Sequence, residues 1–120
     1  MPRLTRIAPE LPAHDLQASL DYYQQKLGFQ IAMAMPDRGY VVIERDDTAI
    51  HLFEDKAHSH SPVDIHIFAT EIEDLYVELQ QRGSQFSQEI VRKPWGNRDF
   101  RLRDPADNEL KFTEPLPDAN

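Results

Sequence analysis

Asp15-Leu16-Gln17-Ala18-Ser19-Leu20-Asp21-Tyr22-Tyr23-Gln24-Gln25-Lys26-Leu27-Gly28 is the stretch on which the fold turns. Its apolar residues Leu16, Leu20, Tyr23 and Leu27 recur at spacings of four, three and four, which trace one face of a helix. Asp15 can cap the unpaired N–H groups at the start, and Gly28 supplies the left-handed residue that ends the helix. A second stretch has the same grammar. Thr70 and Glu73 make a capping box, Ile72, Leu75, Tyr76 and Leu79 make an apolar face, and Gly83 ends it. The two glycines lie 55 residues apart.

Strands flank both helices. Before the first, Leu4 to Leu11 reads as a strand, with Pro9 and Pro12 marking an edge position. After it come Phe29 to Met35, Gly39 to Arg45 and Thr48 to Glu54, separated by Pro36-Asp37-Arg38-Gly39 and by a tight turn at Asp46-Asp47. Asp55 to Pro62 is a polar linker, with His58 and His60 solvated. The order then repeats as Val63 to Ala69, the second helix, Phe86 to Arg92, Asn97 to Arg103 and Glu109 to Glu114. A strand, a helix and three strands, twice, is an internal duplication. The predicted class is therefore α+β: two βαβββ units, each a curved mixed sheet under one helix, forming a concave cleft. The units span about 4–54 and 63–114, joined by the linker 55–62 and followed by a tail at 115–120, in one domain of 120 residues.

Composition narrows the function. No apolar run approaches the ~20 residues of a membrane helix. The opening Met1-Pro2-Arg3-Leu4-Thr5-Arg6 lacks a signal-peptide core. With no cysteine, disulfides, thiolate catalysis and zinc–thiolate sites are excluded, and a cytoplasmic protein is expected. The net charge of −8 argues against nucleic acid or an anionic membrane as partner. No nucleophile elbow surrounds the serines, and four glycines leave no phosphate-binding loop. Basic residues at Arg92-Lys93 and Arg98 to Arg103 read as a solvated strand face.

The run Leu11-Pro12-Ala13-His14-Asp15-Leu16, then Asp21-Tyr22-Tyr23 and Lys26-Leu27-Gly28-Phe29, resembles the opening of the vicinal oxygen chelate superfamily. That group holds glyoxalase I, extradiol dioxygenases, fosfomycin-resistance enzymes and bleomycin-resistance proteins. Pro94-Trp95-Gly96-Asn97-Arg98-Asp99-Phe100 and Arg103-Asp104-Pro105-Ala106-Asp107-Asn108 are similar to the second half, most of all in the bleomycin-resistance branch. One departure is Asp107, where that turn usually carries glycine; Asp tolerates the positive φ expected there.

The resemblance implies metal ligands at four positions, which motif spacing carries onto Ala8, His51, Asp64 and Lys111. Ala8 has no donor atom and Lys111 offers an ammonium, so a divalent cation is disfavoured. Neither a metal nor a cofactor is expected. A shift of two residues would instead assemble Glu10, His51, His66 and Glu109, a chemically attractive set that conflicts with the spacing to Asp15 and Asn108. Strand alternation puts Glu10, His51, Phe53, Asp64, His66, Phe68, Glu109 and Lys111 on the face away from the helices. Such a mixed aromatic and charged wall suits a polar or aromatic ligand. Asp64 and Lys111 are expected to pair where a cation would sit. Trp95 either stacks on a planar ligand or packs beneath its loop.

By resemblance, the leading expectation is a metal-free homodimer. It would sequester a bleomycin-like or other planar small molecule in clefts at the subunit interface. The rival is a divalent-metal lyase, isomerase or dioxygenase of the same superfamily. A ligandless sensor domain is a third reading.

Overall fold

A computed structural model of the chain describes residues 1–115. The elements are β1 (Glu10–Ala13), α1 (Leu16–Leu27), β2 (Gln30–Met35), a 3-10 turn (Pro36–Arg38), β3 (Tyr40–Arg45), β4 (Thr48–Glu54), β5 (Asp64–Phe68), α2 (Ile72–Gln81), β6 (Gln88–Arg92), β7 (Arg98–Arg103) and β8 (Glu109–Glu114). They form two four-stranded sheets, ordered β1-β4-β3-β2 and β5-β8-β7-β6. In each, the first strand lies parallel to the last and the other pairs are antiparallel. Two βαβββ units of mixed α+β structure therefore follow one another.

Alternation gives each sheet an apolar face. Leu11, Val41, Ile43, Ile50 and Leu52 of the first sheet join Ile67, Phe100, Leu102, Leu110 and Phe112 of the second in a single buried cluster with residues from both helices. Burying aliphatic side chains of this size stabilises the fold by roughly 1.5–3 kcal/mol each. At the start of α1, Asp15 Oδ1 accepts from the Ala18 N–H at 3.1 Å, and at its end Gly28 has φ 74°. Glycine is needed at position 28 for its backbone sign; a Cβ there would meet only the flexible ends of Arg82 and Arg45.

Two expectations need correction. The first strand is not Leu4 to Leu11 but Glu10–Ala13, because β4 offers a partner only from the His51 N–H, bonded to the Pro9 carbonyl, onward. Residues 1–9 join no ladder, and Leu4 and Ile7 stand exposed. The Thr70–Glu73 capping box does not form. The N-cap of α2 is Glu71, held at φ 51° with no side-chain cap of its own. A carboxylate from a neighbouring strand takes the role: Glu114 Oε1 accepts from the Ile72 N–H at 3.1 Å. The polar linker is organised around one buried carboxylate, Asp55, which accepts from the Ser59 N–H, the Ser59 hydroxyl and the His60 N–H. These bonds, the serine hydroxyl foremost, hold its pKa well below the usual carboxylate range. The His58 ring stacks on His14 with centroids 3.5 Å apart. Of the tail at 115–120, residues 116–120 lie outside the described residues.

The units meet at two junctions. At one, the Tyr23 hydroxyl donates to Asp104 at 2.7 Å, and the Asn108 amide donates to the Pro12 carbonyl and to Asp104, both at 2.9 Å. Burial pushes the Asp104 carboxyl up against the pull of its donors. At the other, Arg45 grips Glu78 through two hydrogen bonds, at 2.7 and 2.9 Å. Asp107 takes φ 69°, the positive value expected at that turn position.

Candidate functional site

The polar sheet faces carry the predicted residues, in two separate patches. On the first sheet, the ladders set Met33, Val42, His51 and Glu10 in one row across four strands. Two residues along β3 from Val42, the Tyr40 hydroxyl donates to Glu10 at 2.8 Å and lies 2.6 Å from His51 Nδ1. A phenol has one proton. Since Glu10 takes it, His51 Nδ1 must carry the hydrogen of the second contact, which leaves Nε2 as an acceptor. Desolvation first, and the bond to Glu10 second, raise the Tyr40 pKa. Phe53 continues the face beyond His51, its ring meeting His60 edge-on at 4.9 Å.

The second sheet repeats the arrangement with different chemistry. Arg101, Lys111 and His66 form the row equivalent to Val42, His51 and Glu10. Lys111 Nζ lies 3.5 Å from Asp64 and 3.8 Å from Glu109, so the expected Asp64–Lys111 ion pair is formed. Glu109 is shared further with Arg101 at 3.5 Å and Arg103 at 3.3 Å. Arg101 Nε is buried with no hydrogen-bond acceptor, its nearest carboxylate, Asp99, standing 3.9 Å away. His66 and Phe68 lie exposed with near-parallel rings. Trp95 is 68% exposed in the β6–β7 turn, so it does not pack beneath its loop as a core residue.

Within one chain these two patches are separate. No hydrogen bond, ion pair or ring contact among the described residues joins the Glu10–His51 face to the Asp64–Lys111 face. The polar contacts that join the units run instead through Tyr23 and Asp104 and through Arg45 and Glu78. Nor do the donors fit a divalent cation. Ala8 precedes the ladder, Lys111 sits opposite His66, and no three His, Asp or Glu side chains converge among the described residues. The register does favour part of the shifted set, since Glu10 rather than Ala8 faces His51. Sequence reading followed β1, β4, β5 and β8 and so missed Tyr40 and Arg101 on the strands between. Their parity with Val42 and Asp99 was the available signal.

Two helix-covered sheets in tandem, with polar faces turned to solvent, define a duplicated α+β fold whose chemistry lies on strands rather than loops. The chain belongs to the Glyoxalase/Bleomycin resistance protein/Dioxygenase superfamily, whose family model matches residues 3–112. It is 25% identical over 127 residues to a bleomycin resistance protein of Geobacillus stearothermophilus, covering 90% of this chain and 95% of that one. Among solved structures, a bleomycin resistance determinant encoded on the transposon Tn5 superposes with a TM-score of 0.83 at 19% identity, covering 95% of this chain and all 100% of that one. A bleomycin-binding protein complexed with bleomycin gives a TM-score of 0.77 at 19% identity, covering 94% and 100%.

Proposed function

We propose that this chain is a metal-independent binding protein that works as a homodimer. The Glu10–Tyr40–His51–Phe53 face of one copy would close against the Asp64–His66–Phe68–Lys111 face of another around a planar, bleomycin-like molecule. One observation carries this reading: each patch is built and hydrogen-bonded, yet open, and neither encloses a ligand alone. The dimensions agree with an open protomer. The radius of gyration is 15.2 Å and the extents are 49 × 45 × 24 Å, against about 13.6 Å expected of a compact chain this long. Between the patches, His51 Nε2 accepts, the carboxylates attract cationic groups, and Phe53, Phe68 and Trp95 offer stacking surfaces. The ammonium of Lys111 holds a positive charge where relatives would need a cation.

Calorimetric titration with metal-free bleomycin tests it, alongside sedimentation. The expected result is saturable binding to a dimer at about one ligand per cleft, with quenching of Trp95 fluorescence. No heat and no quenching would sink the reading. Glu10 facing His51 favours, to a lesser degree, the metal-dependent alternative. Metal analysis of protein purified without chelator separates the two. One tightly held divalent ion per chain would establish the enzyme class instead.

A further inference from the structure

The duplication makes the two junctions between the units comparable residue by residue. On the strands, His51 faces Glu10 as Lys111 faces His66. Counting along the ladders, Arg45 and Thr48 occupy the positions of Asp104 and Asn108. Arg45 pairs with Thr48 across its turn, just as the Asp104 N–H bonds the Asn108 carbonyl. On the helices, the apolar periodicity sets Leu79 at the place of Tyr23, since Ile72, Tyr76 and Leu79 follow one another at the spacing of Leu16, Leu20 and Tyr23. The first junction is full: the Tyr23 phenol and the Asn108 amide cross it. The second is crossed differently: Leu79 carries no phenol and Thr48 no amide, and the crossing contacts are the Arg45–Glu78 pair and the helix-end bonds of Lys26 and Gln25 with Arg82 and Ser84. A cavity of about 510 Å³ remains between Arg45, Thr48, Phe68 and Leu79.

This volume falls within the range of small-molecule sites, about 300–1,000 Å³. It is a half-open cleft of mixed lining: Leu27, Ile67, Leu75, Leu79 and Phe112 give it an apolar side, and Asp46, Asp47, Glu71, Asp74 and Glu78 give it an acidic one. The single rim guanidinium, Arg45, is committed to Glu78. Asp47, Glu71 and Asp74 form no ion pair among the described residues. Of the eight residues named on the two sheet faces, only Phe68 touches this cavity. We propose that it is a second ligand site, distinct from the sheet faces, for an organic cation with an apolar body. The body would lie against Leu27, Ile67, Leu75, Leu79 and Phe112, and the carboxylate rim would select positive charge.

Tetraphenylphosphonium and tetraphenylborate have nearly the same shape and opposite charge, so they probe this directly. Calorimetry and methyl NMR on the intact protein should show saturable binding of the phosphonium, with shifts at the Ile67, Leu75 and Leu79 methyls. The borate should bind at least tenfold more weakly. The triple variant Asp46→Asn, Asp47→Asn, Asp74→Asn removes only exposed charges and should weaken the phosphonium about tenfold, as expected of three partly screened carboxylates. Thr48→Trp, which fills the cavity mouth, should abolish the methyl shifts, whereas His51→Ala and Lys111→Ala should leave them in place. Three results would overturn the proposal: no saturable phosphonium binding, equal affinity for the borate, or shifts that survive both the triple variant and Thr48→Trp.

Discussion

Single residues decide how the two units are held together. Tyr23 is fully buried, and its hydroxyl is one of four donors on the Asp104 carboxylate, with the N–H groups of Ala106 and Asn108 and the Asn108 amide. Burial, then the adjacent charge of Asp104, pushes the phenol pKa well above its ordinary value, so it donates throughout the accessible pH range. Tyr23→Phe keeps the ring and removes one donor from a buried charge. Chemical denaturation should show a loss of about 1.5–3 kcal/mol, the range for hydrogen bonds to charged groups. A change below ~0.5 kcal/mol, the usual scatter of surface substitutions, would mean Asp104 is satisfied without it.

At the scale of elements, α2 is the helix whose start is supplied from elsewhere. Glu71 cannot cap it from its left-handed conformation, so Glu114 of β8 does, itself held by Arg98, which also reaches Glu73. The bond from the Ile72 N–H is the largest cause holding the Glu114 carboxyl below its usual pKa, with Arg98 adding to it. A carboxylate depressed on folding contributes stability above its unfolded pKa of ~4.3 and loses it as pH falls through the folded value. Glu114→Ala should therefore cost about 1 kcal/mol at pH 7, the scale of a lost cap. Calorimetric melts should show the gap between wild type and variant closing below pH ~4. A gap constant from pH 7 to 3 would deny the carboxylate this role.

For the whole molecule, the open question is what covers the sheet faces. Ile31, Met33 and Phe68 are exposed apolar side chains on strands, and Met33 shares its row with His51 and Glu10. In the proposed dimer Met33 is buried. Met33→Asp should raise the dimer dissociation constant at least tenfold by sedimentation, as expected when a charge enters an apolar contact without a partner. The isolated protomer should lose little stability, because the side chain is already 46% exposed there. An unchanged association constant would place the interface elsewhere.

Periodicity alone determined the two helices, all eight strands to within a few residues at most ends, the duplication, and the apolar faces of β4, β5 and β8, because these follow from local geometry and the burial of every second or every third-to-fourth side chain. Asp64 and Lys111 were legible as a pair through the resemblance, which carries two ligand positions onto opposite charges, whereas the register sets Lys111 opposite His66 and Asp64 on the diagonal. The sequence did not reveal where β1 begins, what caps α2, that Tyr40 bridges Glu10 and His51, or that a cleft lies between the units beside Arg45 and Leu79. Each depends on a partner distant in sequence: the edge of β4 for β1, Glu114 for Ile72, and the packing of one unit on the other for the cleft. Only the three-dimensional arrangement brings such partners within hydrogen-bond reach.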